Sequence, residues 1–291
     1  MSRAKGVFAV IAASVLYGLL PVFTKAALLQ GTTEDAVVFY QFLFMAIAAL
    51  AVLIMTRRPV RISGRQFAEL VFAAVLGYGM TTSLLTMAYA RIPVGLAMMF
   101  HFSNPVFVTL AMILIYREKA TVLKAAAIIC AVTGLILMTD LSGMNGMGVL
   151  YALLSGITYA YYVVANNKGS FAQTDNVTVV FYIGLINAVF YGLAQIVAGE
   201  IRTIPNSASF LFIVIIAVVC TLLPMFSLTY GIRTLGASSA SVLNMLEPVV
   251  SLLAGMIVYH EVISGKGLIG CLFIVISGIV VVLDDKETQS G

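Results

Sequence analysis

The chain has 291 residues, of which 62% are hydrophobic and only 10% charged, and its mean hydropathy is +1.08. That balance excludes an ordinary soluble globular domain, which could not bury so much apolar surface. A net charge of +4 is too small to argue for a nucleic-acid partner, and the basic residues sit in short stretches beside apolar runs instead of forming a patch.

Ten apolar runs follow one another with short polar connections: 6–29, 36–56, 66–90, 93–116, 121–140, 148–168, 177–198, 208–232, 236–259 and 266–284. A helix rising 1.5 Å per residue crosses roughly 30 Å of hydrocarbon in about 20 residues, so each run is read as a membrane-spanning helix. Met1–Lys5 ahead of the first run resembles a signal peptide. The run to Leu29 is longer than a signal core and has a counterpart at 148–169, so it is read as a retained first helix. Lys and Arg fix the orientation. With the N-terminus in the cytoplasm, Arg3, Lys5, Arg57, Arg58, Arg61, Arg65, Arg117, Lys119, Lys124, Lys168, Arg233 and Lys286 fall inside. Only Arg91, Arg202 and Lys266 fall outside, which puts both termini inside.

The second half repeats the first at a spacing of about 142–143 residues. Tyr17 then falls on Tyr159, Tyr40 on Tyr182, Pro105 on Pro248, Tyr116 on Tyr259 and Glu118 on Glu261. The expected units are 1–143 and 144–291. Five spans per unit is an odd number, so the second unit is inverted relative to the first, the arrangement of a secondary transporter with its substrate between the halves.

Glu247-Pro248 lies within the ninth run, where a carboxylate costs about 2.5–3.5 kcal/mol on insertion scales. Proline removes a helix hydrogen bond and bends the span, so Pro105 and Pro248 are candidate hinges. The repeat mate of Glu247-Pro248 is Asn104-Pro105, and His101 matches Asn244; both helices thus carry polar groups at i and i+3 ahead of proline. These groups either face substrate and protons or bridge neighbouring helices across the bends. Tyr17 and Tyr159, with an apolar ring and a hydroxyl each, suit a cavity wall. Pro21 and Lys25 share the Tyr17 face, and Lys25 either meets a carboxylate or reaches back to the interface. Tyr162 and Asn166 share the Tyr159 face. The third run adds Tyr78, Thr81 and Thr82 beside Gly77 and Gly79; the seventh adds Asn187 and Tyr191; Met98 lies one turn from His101. The expected substrate-binding set is Tyr17, Tyr78, Thr82, Met98, His101, Asn104, Tyr159, Asn244 and Glu247.

Other patterns carry less. Gly265 to Gly270 spells GxGxxG but joins two apolar runs and follows no strand. The sequon at Asn176 falls on the cytoplasmic side of this topology. Cys130, Cys220 and Cys271 lie inside apolar runs with no metal-ligand spacing. No hydrolase, zinc-protease or Walker pattern is present, so neither catalysis nor a cofactor is expected. Glu118 and Glu261, at the ends of matched helices, read as loop anchors or structural hinges.

The two five-span repeats, Asn104-Pro105 and Glu247-Pro248, and the Tyr-x-Glu closing each helix (Tyr116 to Glu118, Tyr259 to Glu261) together resemble the EamA-type drug/metabolite transporter superfamily. More narrowly, the chain resembles its bacterial aromatic amino acid exporters. The resemblance implies an all-α membrane protein in which helices one, three, four, six, eight and nine surround a cavity, with five and ten at the periphery. It also implies export of neutral amino acids or related metabolites across the bacterial inner membrane. Partners would be a small-molecule substrate, the lipid bilayer and protons as a candidate coupling ion, with a monomer sufficient. The rival readings are an exporter of hydrophobic drugs or nucleoside-like metabolites, and a membrane receptor or sensor that binds without flux.

Overall fold

A computed structural model describes residues 3–89, 91–92, 94–118, 121–138, 145–259 and 264–290. The domain boundary expected at 143/144, Lys119 and Glu261 lie outside these residues. The described chain is helical and falls into eight helices long and apolar enough to cross a membrane, with two shorter apolar ones. In chain order they are α1 (Arg3–Leu29), α2 (Glu34–Thr56), α3 (Gly64–Ala88), α4 (Leu96–Leu114), α5 (Val122–Leu137), α6 (Gly146–Lys168), α7 (Asn176–Val197), α8 (Ser207–Leu235), α9 (Ala237–Val258) and α10 (Gly265–Val280). Helix continues beyond α10 to Ser290 and so covers the whole of the tenth run.

Short polar residues start the helices where sequence chemistry places them. Thr33, Ser63, Asn145, Asp175 and Asn206 accept first-turn N–H groups of α2, α3, α6, α7 and α8, and Ser63 with Gln66 completes a capping box. The outward faces stay apolar, as at Leu114, Val197 and Ile257, which suits contact with lipid tails.

The main helix contacts join the two halves: α1 packs on α8, α3 on α6, α2 on α7, α4 on α9, and α5 on α10. Small residues allow the closest crossings. A Cβ added to Gly134 on α5 would sit 2.6 Å from the Gly270 carbonyl on α10.

Besides a break in α1 at Leu19, four spans are interrupted at places related by the repeat. In α4 the helix breaks after His101 and resumes at Asn104; in α9 it breaks after Asn244 and resumes at Glu247. Pro105 and Pro248 thus occupy the first turn of a new helical piece, where a missing N–H leaves no bond unmade. The break lies at Phe102–Ser103 and Met245–Leu246, just before each proline. The spans α3 and α8 widen into π-helical turns at Ala73–Gly79 and Val218–Leu222. Asn187 Nδ2 donates to the Ala74 carbonyl, and Tyr191 Oη to that of Gly79. In α8, Thr221 Oγ1 donates to Ile216 O and accepts from Gln41 Nε2. Side chains from neighbouring helices thereby hold turns that irregular geometry would otherwise leave short of partners.

Candidate functional site

The interrupted helices meet around a cavity of about 940 Å³, counted out to its open mouth. Its floor is aromatic. Tyr17 and Tyr78 bring their hydroxyls within 3.5 Å, and the Tyr78 ring lies 5.1 Å from that of Tyr162. The Tyr159 ring lies 5.3 Å from the His101 imidazole. Tyr17, Tyr78, His101 and Tyr159 reach the cavity from α1, α3, α4 and α6, and Glu247 from the break in α9. From the floor the wall rises past Thr82, Met98, Thr24 and Thr86 to Leu28 and Glu34, which flank the α1–α2 connection. The cavity therefore opens at the end of the bundle opposite Arg3.

The Arg3 end is sealed. Gly231 on α8 lies so close to α1 that an added Cβ would sit 2.3 Å from Val10 Cγ2, and Gly6 presses on Thr234 in the same way. Val10, Leu70, Phe171 and Ile232 are fully buried there. The α6–α7 connection is tied across this end. Arg58 pairs with Asp175 at 2.5 Å, Glu69 accepts the Ser170 N–H at 2.6 Å, and Arg233 donates to the Thr174 carbonyl at 2.5 Å.

The polar floor has a definite donor and acceptor sense. Ser155 Oγ donates to the Ala152 carbonyl at 2.6 Å, so at its 2.9 Å contact with His101 it accepts from Nδ1–H. In the neutral ring this leaves Nε2 as an acceptor. Glu247 Oε2 accepts from Asn244 Nδ2 at 3.2 Å. Two carboxylates, Glu34 and Glu247, line the cavity, and among the described residues no Lys or Arg does. The site is thus rich in acceptors and aromatic faces, a combination that favours an ammonium group over an anion.

Of the residues expected to bind substrate, Tyr17, Tyr78, Thr82, Met98, His101, Tyr159 and Glu247 line this cavity. Asn104 and Asn244 do not, and their chemistry explains why. Pro105 has no N–H to give the His101 carbonyl, and Asn104 Nδ2 supplies the missing donor at 3.1 Å. Asn244 is spent between Ser14, whose Oγ donates to its Oδ1 at 3.2 Å, and Glu247. Lys25 is exposed and off the wall. Glu118 accepts from Ser238 Oγ and faces Lys124 at 3.9 Å, tying the end of α4 to the starts of α9 and α5. Sequence reasoning missed Glu34, Gln41 and Thr86 as wall residues. Glu34 reads as an ordinary first-turn acid, and only the cavity's extension to the mouth gives it a further place. Among the described residues, no cluster of His, Cys, Asp and Glu is placed to hold a metal ion.

Comparison with known proteins agrees with this architecture. Residues 4–140 and 146–283 each match the EamA-like transporter family. An uncharacterized transporter, YcbK of Bacillus subtilis, is 24% identical over 94% of this chain and 92% of its own length. An S-adenosylmethionine uptake transporter of Rickettsia conorii is 20% identical over 87% of this chain and 84% of its own. A protein solved by crystallography shares the fold with a TM-score of 0.81, at 17% identity, over 99% of this chain and all of that one.

Proposed function

Because both halves of the chain match the EamA-like transporter family, and the chain therefore belongs to it, we propose that this multi-pass membrane protein is a secondary transporter that exports neutral amino acids, aromatic ones included, by alternating access. The observation that carries the reading is the cavity between the halves, floored by Tyr17, Tyr78 and Tyr159 around Glu247 and His101 and open at one end only. Glu247 and His101 Nε2 accept from the solute's ammonium group, the tyrosine rings flank it, and Met98 and Leu85 take its apolar side chain. In this reading ten spans form two inverted five-helix units, residues 1–143 and 144–291, in a bacterial inner membrane with both termini cytoplasmic. The Arg3 end is then the cytoplasmic end, and the structure faces outward. The breaks ahead of Pro105 and Pro248 are the hinges about which the units rock.

A second solute class has a specific observation behind it. The Rickettsia relatives are named for uptake of S-adenosylmethionine, an amino acid joined to a nucleoside, and its sulfonium would also suit a tyrosine-lined, carboxylate-bearing cavity. The deciding experiment is counterflow into proteoliposomes with labelled phenylalanine, leucine and S-adenosylmethionine. Saturable exchange of the amino acids is expected. Exchange of S-adenosylmethionine alone replaces the solute, and binding without any flux makes the protein a receptor.

One variant probes the floor directly. Ser155→Ala releases the His101 ring from its fixed orientation, and the half-saturation concentration for exchange is expected to rise about tenfold, the equivalent of one charge-assisted contact of about 1.4 kcal/mol. Unchanged half-saturation would remove His101 from the binding set.

A further inference from the structure

Gln41 on the cavity wall has its orientation decided by a neighbour behind the wall. Thr221, wholly buried in the π-helical turn of α8, donates its single hydroxyl proton to the Ile216 carbonyl at 2.8 Å. That carbonyl lies five residues back, a reach that the widened turn permits, whereas Thr82 and Thr86 in α3 and Thr234 in α8 bond four residues back. At its 2.8 Å contact with Gln41, Thr221 Oγ1 therefore accepts, and the group turned toward it is the Nε2 amide. The reverse orientation would set two oxygens face to face with no hydrogen between them.

The Gln41 carbonyl is thereby left to the cavity. Gln41 lines the wall on the same helix face as Glu34, Val37 and Val38, about two turns deeper along α2 than Glu34. The next residue, Phe42, packs its ring 5.9 Å from that of Tyr78, which sets Gln41 at the level of the aromatic floor. Among the described residues none donates to Gln41 Oε1, and unlike Asn187 Oδ1 this oxygen is not sealed from solvent. The pairing is also peculiar to one half. Setting Tyr40 on Tyr182 puts Gln41 on Ile183, and the same spacing puts Gly79 on Thr221; Ile183 and Gly79 have no side-chain bond to make. The fold itself does not require a glutamine here.

We propose that Gln41 is a specificity-determining residue of this cavity: its fixed carbonyl accepts a hydrogen bond from the solute's side chain, so a solute carrying a phenol there is bound ahead of one of the same shape without it. Thr221 is the positioning residue that keeps the amide turned. This rests on the transport reading and deepens it. Glu247 and His101 reach the cavity from α9 and α4 and take the ammonium group, while Gln41 reaches it from α2 and is left for the far end of the solute. The asymmetry of hydrogen bonding supplies the selectivity. A hydroxyl that donates to Oε1 replaces the water it displaces, whereas bare hydrocarbon or a fluorine in the same place leaves the acceptor unpaired. Because the amide orientation is fixed, the preference is for a donor and not merely for a polar atom.

The test is displacement of labelled phenylalanine from the full chain, in proteoliposome counterflow and in binding to the detergent-solubilised protein, by tyrosine and by 4-fluorophenylalanine. The second competitor is close to tyrosine in shape and has no proton to donate. In the wild type, tyrosine is expected to displace at about tenfold lower concentration, the worth of one hydrogen bond. That ratio is expected to fall within twofold in Gln41→Met, which keeps the length of the side chain, and in Thr221→Val, which removes the hydroxyl at nearly constant shape. Thr221→Ser keeps the hydroxyl and is expected to restore it. A purely structural pairing of α2 with α8 predicts the opposite: both competitors weaken together and the ratio stays. That result, or a wild-type ratio within twofold, overturns the proposal, and a ratio kept by Thr221→Val alone overturns the positioning role. The binding arm gives the same ratio where a variant does not survive reconstitution. If phenylalanine neither binds to nor exchanges on the wild type, the amino acid reading falls, and the part given to Gln41 falls with it.

Discussion

Glutamine in place of Glu247 is expected to abolish accumulation driven by a pH gradient, reducing it tenfold or more, while solute counterflow survives with weakened affinity. The side chain reaches the cavity from the break in α9, deep within the bundle, where a permanent negative charge is costly unless a cation or a proton meets it. Glutamine keeps the shape and can still accept from Asn244, which lies 3.2 Å away, so the architecture of the break is preserved. What disappears is the competition between a proton and an ammonium group for one carboxylate. The sign follows. In the wild type, raising the pH strips the proton, and affinity for an amine-bearing solute rises. In the variant, affinity is flat across the same range. The other ionisable groups on this cavity are His101, Glu34 and the tyrosines, and Glu34 sits at the mouth beside the α1–α2 connection. Proteoliposomes with an imposed pH gradient, wild type beside E247Q, give the answer in one assay. Equal gradient-driven uptake by the two proteins would leave Glu247 a structural acceptor for Asn244 and move coupling to His101 or remove it altogether.

The helices and the aromatic floor were legible in the sequence because each rests on a local signal. Apolar runs near 20 residues and a tyrosine recurring at the same place in both halves can both be read without knowing what packs on what. The division of labour among polar residues is a tertiary matter. His101 and Asn104 look alike as intramembrane polar groups, yet one faces the cavity and the other turns back to a carbonyl that Pro105 cannot satisfy. Asn187 and Tyr191 look like cavity candidates until the π-helical turn of α3 presents carbonyls to them across the bundle. That turn has no sharp sequence signature beyond Gly77 and Gly79. Glu34 shows the converse: a residue fully explained by helix chemistry that also lines the mouth.

Leucine in place of Gly231 is expected to stop transport, lowering exchange by two orders of magnitude, without a matching loss of thermal stability. Closure of the Arg3 end depends on backbone proximity: a Cβ on Gly231 would lie 2.3 Å from Val10 Cγ2, more than 1 Å inside ordinary contact, and one on Gly6 would lie 2.8 Å from Thr234 Cγ2 one turn away. Val10 and Ile232 are wholly buried at this seam, among close-packed neighbours. Overpacking of this kind costs about 1–3 kcal/mol, but it falls on the closed state alone if the open state separates α1 from α8. A bias of that size shifts the two-state balance by roughly tenfold to a hundredfold, enough to strand the protein open at the Arg3 end. Sided labelling checks this: a single cysteine placed at Thr24, on the open wall, is expected to lose its reactivity from the mouth side in Gly231→Leu. Normal exchange by Gly231→Leu would mean that the α1–α8 seam never opens, and that the sealed end is a fixed floor instead of a gate.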